Sequence, residues 1–337
     1  MKLKPLAAGA LAALGLFTAG AAAADPPPIG AVECDRACLK GQIDAVMAAM
    51  VAHDASRLPL AAAVRYTENG NRLALTDGFW GTASGMGTYR HYFLDPRTQQ
   101  AGVYAVMKEN GQNVILALRI ALQGRKIGEM EAILSRTGLG QAGPAGSGNL
   151  EAMGKPDEVW TREAPPSERA SREDLVRVAN MYFTAIENND GKGVYPFTDD
   201  CYRLESGFQT TRGPHPAPPP PPGQAAPPRR PGPNMLALGC KEGLETGYFR
   251  IVTRVRGRRF PLVDEDTQSV FAFGFFDHNA TVHDYTLTDG TQIHGGLQAP
   301  FTWELAEAFR IEHGKIRVVE AVLNNVPYGN RAGWEGQ

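Results

Sequence analysis

The chain has 337 residues, 43% hydrophobic and 21% charged, with 34 basic and 36 acidic side chains and a net charge of -2. This composition supplies a substantial core and excludes a small disulfide scaffold, a coiled coil, a disordered tail and an integral membrane protein. A slightly acidic balance with scattered arginines also argues against a nucleic-acid partner.

Taken in chain order, Lys2 and Lys4 precede the apolar run LAAGALAALGLFTAG, and Ala22-Ala23-Ala24 precedes Asp25. That pattern predicts a signal peptide over 1–24 and a periplasmic or secreted mature protein. The apolar run is too short for a spanning helix, so no stable membrane insertion is expected after cleavage. Cys34, Cys38, Cys201 and Cys240 all lie in the exported part. An oxidising compartment would pair them, and among three possible connectivities 34–38 and 201–240 are favoured. The first pair is local; the second ties the ends of a long insertion.

Residues 35–53 read as a helix with Leu39, Ile43, Val46, Met47 and Met50 on one stripe. A short strand at 64–68 ends on the turn signal Asn69-Gly70, and strand-like runs follow at 101–108, 114–122 and 127–134. They are punctuated by Asn110-Gly111 and Gly124, as in an antiparallel meander. These elements define a first unit, 34–137. Residues 138–168 are rich in Gly, Ala, Pro and Ser and read as a linker.

A second unit, 169–330, starts in the same way. Ser171 caps a helix whose apolar positions are Leu175, Val178, Ala179, Tyr182, Phe183 and Ile186. Residues 201–205 form a strand, and 213–233 hold eleven prolines, predicting an extended insertion. Three long strands follow at 270–279, 305–312 and 316–324. LRIALQGRKIGEMEAIL and FRIEHGKIRVVEAVL align Arg119 with Arg310, Ile127 with Ile316 and Glu131 with Glu320; YTENG at 66–70 echoes RLESG at 203–207. The order of these blocks predicts an internal duplication. The expected fold is α+β: in each unit helices cover one face of a curved antiparallel sheet, and the two sheets pack as a pseudo-dimer. The second, longer unit is the expected active one.

ANMYFTAIENNDG, CYRLESGFQTT, RGRRFPLVDED, FFDHN, PFTWELAEAFRI and NNVPYG resemble an exported fungal and bacterial family built from nuclear-transport-factor-2-like (SnoaL-like) units. The resemblance implies two tandem cone-shaped domains. It also implies cofactor-free chemistry, among whose known forms are isomerases, dehydratases and aldol-type lyases acting on lignin-derived aromatics.

Candidate site residues come from strand alternation and residue chemistry. In VFAFGFFDHN, Ala272, Gly274, Phe276 and His278 share one face, and Asp277 lies on the other unless a bulge swaps them. His278 is a candidate base, with Asp277 the alternative. Arg258 and Arg259 point opposite ways, so one of them can stabilise a phenolate, enolate or carboxylate. Tyr182 can present its hydroxyl from the helix. Tyr248, Phe249 and Trp303 suit an aromatic wall, Arg203 and Glu205 share a strand face, and His294 stands beside turn signals.

No phosphate- or dinucleotide-binding glycine loop, H-E-x-x-H or G-x-S-x-G occurs. A strand spacing of five separates His278 from His283, so neither cofactor nor metal is expected. The resulting expectation is a cofactor-independent lyase or isomerase acting on a small apolar or aromatic compound, by dehydration or retro-aldol loss of formaldehyde. The alternatives are a non-catalytic periplasmic binding or structural module and a dehydratase of a sugar-derived compound. A monomer completed by internal sheet pairing, or a homodimer, fits either class.

Overall fold

The computed structural model describes residues 34–136, 143–212 and 234–334, with backbone alone at 143–146. The leader at 1–24 and the Pro-rich insertion at 213–233 lie outside these residues.

Helix α1 (Arg36–Ala52) begins where the Asp35 side chain accepts from the Cys38 amide, and it ends on His53 in the left-handed region. Its buried stripe contains the five residues expected from the 3.6-residue period. Strands β1 (Leu60–Glu68) and β2 (Asn71–Leu73) flank the Asn69-Gly70 turn, both of whose residues have positive φ (47° and 75°). A short helix α2 (Phe79–Thr82) leads into β3 (Ala83–Asp95), β4 (Gln100–Glu109), β5 (Gln112–Gln123) and β6 (Lys126–Ser135). Helices α3 (Gly143–Met153) and α4 (Glu158–Thr161) then lead to α5 (Arg172–Glu187). The second half continues with β7 (Phe197–Glu205), β8 (Phe208–Gln209), α6 (Cys240–Glu245), β9 (Arg254–Asp264) and β10 (Ser269–His278). The short strands β11 (Tyr285–Thr286) and β12 (Gln292–Ile293) form a separate hairpin before β13 (Phe301–Glu312) and β14 (Lys315–Val326).

Two six-stranded sheets result, ordered β2-β1-β6-β5-β4-β3 and β8-β7-β14-β13-β10-β9. The matching order confirms the duplication. Two expectations are corrected. Both sheets are mixed, because β1 runs parallel to β6 and β7 parallel to β14. Neither sheet is curled or closed into a cone of the nuclear-transport-factor-2 type. Each ends on strands that do not pair with each other, β2 with β3 and β8 with β9. Side chains fill both faces of each sheet. Helix α1 covers the first with Leu39, Ile43 and Met50 against Val103, Leu118 and Met130. Helix α5 covers the second with Leu175, Tyr182 and Phe183 against Ala272, Leu305 and Phe309. The remaining faces pack on each other through Phe93, Tyr104, Phe271 and Phe273, in one compact unit.

The ladders refine the repeat. Ile127 pairs with Leu122 and Ile316 with Ile311; Glu131 lies beside Thr67 of β1, and Glu320 beside Leu204 of β7. These positions are equivalent, as the sequence predicts. Arg119 pairs with Glu131 whereas Ala308 pairs with Glu320, so the register sets Arg119 against Ala308 rather than Arg310. The arginines belong to different rungs.

Two buried polar contacts cross the sheet interface in pseudo-symmetric positions. His91 and Arg259 occupy matching rungs, opposite Tyr104 and Phe273. His91 Nδ1 meets Glu320 Oε2 at 2.6 Å, and the Tyr89 hydroxyl donates to Oε1 at 3.0 Å. Reciprocally, Arg259 is paired with Glu131, its Nη1 donating to Oε2 at 3.2 Å.

Within the stretch expected as a linker, the described residues 147–168 send two side chains into the core. Leu150 and Trp160 are buried at the sheet interface, Trp160 against His91 with ring centroids 4.6 Å apart. Beyond β14 the chain returns over the first sheet. Trp334 Nε1 donates to Thr67 Oγ1 at 2.8 Å, Arg65 donates to the Gly333 carbonyl, and Arg65 stacks 4.2 Å from the Trp334 ring. Among the described residues no helix is long and apolar enough to cross a membrane.

Candidate functional site

The residues proposed from sequence fall into several separate places. His278 ends β10 on the helix-covered face, and the strand runs there without a bulge against β13. It is fully buried, stacked on Phe301 at 4.3 Å with edge contact to Trp303 at 4.6 Å. Its Nδ1 donates to the Phe276 carbonyl at 3.1 Å, which leaves Nε2 as an acceptor without a partner among the described residues. Burial pushes its pKa down to about 4, so the ring is neutral at physiological pH.

Asp277 lies on the opposite face. It accepts from Arg256 Nε at 2.7 Å, from Arg256 Nη2 at 3.1 Å and from Thr302 Oγ1 at 2.7 Å. Arg259 is on that face too, committed to Glu131. Arg258 staples β9 to α5 through Asn180 at 3.1 Å, Thr184 at 2.8 Å and Glu187 at 2.5 Å. Sheet two therefore stands between His278 and the pair Asp277 and Arg259. His294 is exposed and pairs with Asp284 at 3.2 Å, while Tyr248 joins the satellite cluster of Tyr285, Leu287 and Ile293.

Tyr182, Arg203, Glu205 and Phe249 do converge. Arg203, on β7, is 3% exposed; its Nη1 lies 3.5 Å from the Tyr182 hydroxyl and its Nε 3.6 Å from Glu205 Oε1. The Phe249 ring lies over its guanidinium, 4.9 Å from centroid to Cζ. The Arg203 amide donates to Thr211 Oγ1 at 2.8 Å, and Thr211 touches Cys240 of the Cys201–Cys240 disulfide. That bridge and Cys34–Cys38 are the pairing favoured from sequence. The disulfide holds the start of α6 against β7, next to the cluster.

The group that sequence reasoning missed is Glu307. It lies on β13 between Leu305 and Phe309 along the helix-covered face and is 2% exposed. Its ladder neighbours are Ala272 and Ala321, whose small side chains leave room around the carboxyl. Burial, with Glu205 adding repulsion, pushes its pKa up to about 8 against the opposing pull of a Tyr182 hydrogen bond and of Arg203. Its Oε2 has no hydrogen-bond partner among the described residues. A carboxyl on the apolar stripe of FTWELAEAF was the signal available in the sequence.

The cluster thus combines a protonated acid, a buried cation and a phenol under an aromatic cover. Arg203 keeps its charge: burial acts against it, and Glu205 and Tyr182 hold its pKa above the ordinary value. Such a set can donate a proton and stabilise an oxyanion without a second ionisable base. Among the described residues no three His, Cys, Asp or Glu side chains stand close enough to hold a metal ion.

A family described as a domain of unknown function (DUF8021) matches residues 168–323. The match runs from just before α5 into β14. It spans the second half and every member of the Tyr182–Arg203–Glu307 cluster. The chain gives this match in place of the expected nuclear-transport-factor-2-like one. No curated protein matches the chain.

Proposed function

We propose that the second half is a cofactor-independent lyase or isomerase acting on a small aromatic compound, with Glu307 as its proton donor and acceptor. The observation that carries this reading is the position of Glu307. It is a carboxyl held protonated near neutral pH, beside a buried arginine and a tyrosine, with one oxygen unpartnered. A pKa near the working pH is what reversible proton transfer requires. In a dehydration, the ionised form of Glu307 takes the α-proton, the C–H electrons moving onto the oxygen of a conjugated enolate; the acid so formed gives that proton to the β-hydroxyl, which leaves as water as the enolate collapses to the alkene. Electron density that builds on a conjugated phenolate or enolate oxygen is met by Arg203. Phe249 and Tyr182 supply the aromatic surface. Because Phe249 covers the guanidinium, substrate reaches the cluster when the turn at Tyr248–Ile251 lifts. The expected periplasmic or secreted setting supports this reading, since such chemistry needs no diffusible cofactor.

The test is turnover of phenolic β-hydroxy compounds in deuterated buffer, followed by proton NMR for release of water or formaldehyde and for deuterium uptake. Wild-type protein is expected to convert at least one of them. Glu307→Gln is expected to lower the rate by about 100-fold or more, within the usual range for loss of a general acid. Binding of these phenols without turnover by the wild type would replace catalysis with a non-catalytic binding role.

A further inference from the structure

Arg119 and Arg310 are the two arginines buried deepest along the central strands of the two halves, and their surroundings differ in one respect. Arg119 is neutralised: it donates to Glu129 at 2.7 Å, Glu131 at 3.2 Å and Gln100 at 2.6 Å. Arg310 is 2% exposed, and its one hydrogen bond among the described residues joins Nη2 to Glu312 at 3.4 Å. Glu312 is engaged more tightly by Arg162, at 2.6 Å. Arg310 Nε and Nη1 have no partner among the described residues. The register supplies the reason. Arg310 pairs with Val318, in the rung where the first half pairs Ala121 with Glu129, so the carboxylate that serves Arg119 is replaced by valine.

A buried guanidinium with two unpaired nitrogens costs free energy unless something supplies the missing acceptors. Arg310 lines a cleft of about 400 Å³, together with Arg162, Glu163, Glu168, Gln268 and His313. We propose that this cleft binds a small singly charged hydroxycarboxylate, whose carboxylate meets the Arg310 guanidinium as the side chain turns its buried Nε and Nη1 toward the cleft. Planar oxygen pairs match a guanidinium better than a point anion does. The acidic rim sets the rest of the class. Glu163 and Glu168 are exposed at the mouth and repel a dianion, while their oxygens accept from ligand hydroxyls. The amide of Gln268 is already used, donating to the Glu265 carbonyl and accepting from the Ala170 amide, so it fixes the wall rather than the ligand. This cleft is built on the end of β13, the turn after it, Gln268 just before β10 and the 162–168 segment, apart from the Glu307 cluster on the helix-covered face.

Titration calorimetry with D-glucuronate tests the site, with D-glucose and inorganic phosphate as controls. Saturable one-to-one binding of glucuronate is expected, at least about tenfold tighter than either control. Arg310→Met is expected to abolish that preference. Ala164→Phe fills the cleft while leaving Arg310 in place, and it is expected to do the same, which keeps the test alive if Arg310→Met does not fold. No saturable binding of glucuronate, phosphate binding as tight as glucuronate, or binding unchanged in Ala164→Phe would each overturn the proposal.

Discussion

The two halves share a strand order and differ in what they do with buried charge. Among the described residues of the first half the buried carboxylates and Arg119 all find partners, and Arg65 Nε is the ionic atom left over. Arg119, Glu129, Glu131 and Gln100 form a closed network that also receives Arg259 from the second half. In the second half more such atoms lack a partner among the described residues: Glu307 Oε2, Glu304 Oε2, Arg203 Nε and two nitrogens of Arg310. Duplication gives one copy the task of holding the body together and leaves the other free to keep uncompensated groups. Such groups are costly to a fold and useful to a site.

The largest contrast is expected at the crossing pairs. Glu131→Ala strands Arg259 and takes one of two carboxylates from Arg119, which keeps Glu129 and Gln100, and a loss of about 3–5 kcal/mol is expected in urea unfolding. Glu320→Ala takes the carboxylate from His91 Nδ1 and from the Tyr89 hydroxyl instead, and should cost about 1–3 kcal/mol. Equal losses would show that the two crossings are alike. The arginines separate the halves in the same assay. Arg119→Met should cost about as much as Glu131→Ala, whereas Arg310→Met should be neutral or stabilising in ligand-free protein.

The disulfides are next in size. Opening Cys201–Cys240 with paired serines frees a loop spanning 39 residues and should cost about 4 kcal/mol, against about 2 for Cys34–Cys38, whose separation is 4. Thermal melts of both double variants check the ratio.

The remaining effects are in pH, each spread over several units. Glu307 has a folded pKa raised to about 8 from an ordinary value of 4.5, so the folded state holds the extra proton between those limits. Stability then falls as pH rises from about 4.5 to about 8, by up to about 1.4 kcal/mol per pH unit for this group. Glu304 is raised to about 8 as well, by burial first and then by Glu131, and adds a parallel slope. Glu307→Gln should remove its own share and leave that of Glu304. His278 acts in the other direction: with its folded pKa lowered to about 4, stability is full above 6.5 and is lost as pH falls toward 4. His278→Gln should flatten that acid limb while leaving the alkaline one intact.

Much of this body was legible in the sequence, for identifiable reasons. The stripe of α1, the Asn69-Gly70 and Asn110-Gly111 turns, the Ser171 cap and the Ile127/Ile316 rungs obey local rules, and each stands where those rules put it. Strand β3 was missed because its glycine-rich start lacks alternation, and it forms the edge of its sheet. The parallel pairings of β1 with β6 and β7 with β14 carry no local mark, because they join the first and last strands of a unit. At the site, alternation placed His278 and Asp277 on opposite faces, as found, but it could not show that Asp277 and Arg259 spend their charge on structural partners. Glu307 escaped notice among apolar neighbours whose periodicity it interrupts only once.

The return of the chain over the first sheet sets an order of events. Trp334 reaches Thr67 across 267 residues of sequence, and Arg65 meets Gly333 over a similar span. Contacts of that separation form late and slow the approach to the native state. The first sheet therefore stays uncovered at β1 until the segment beyond β14 has been made. Any fusion or cleavage near Trp334 acts on the earliest strand of the molecule.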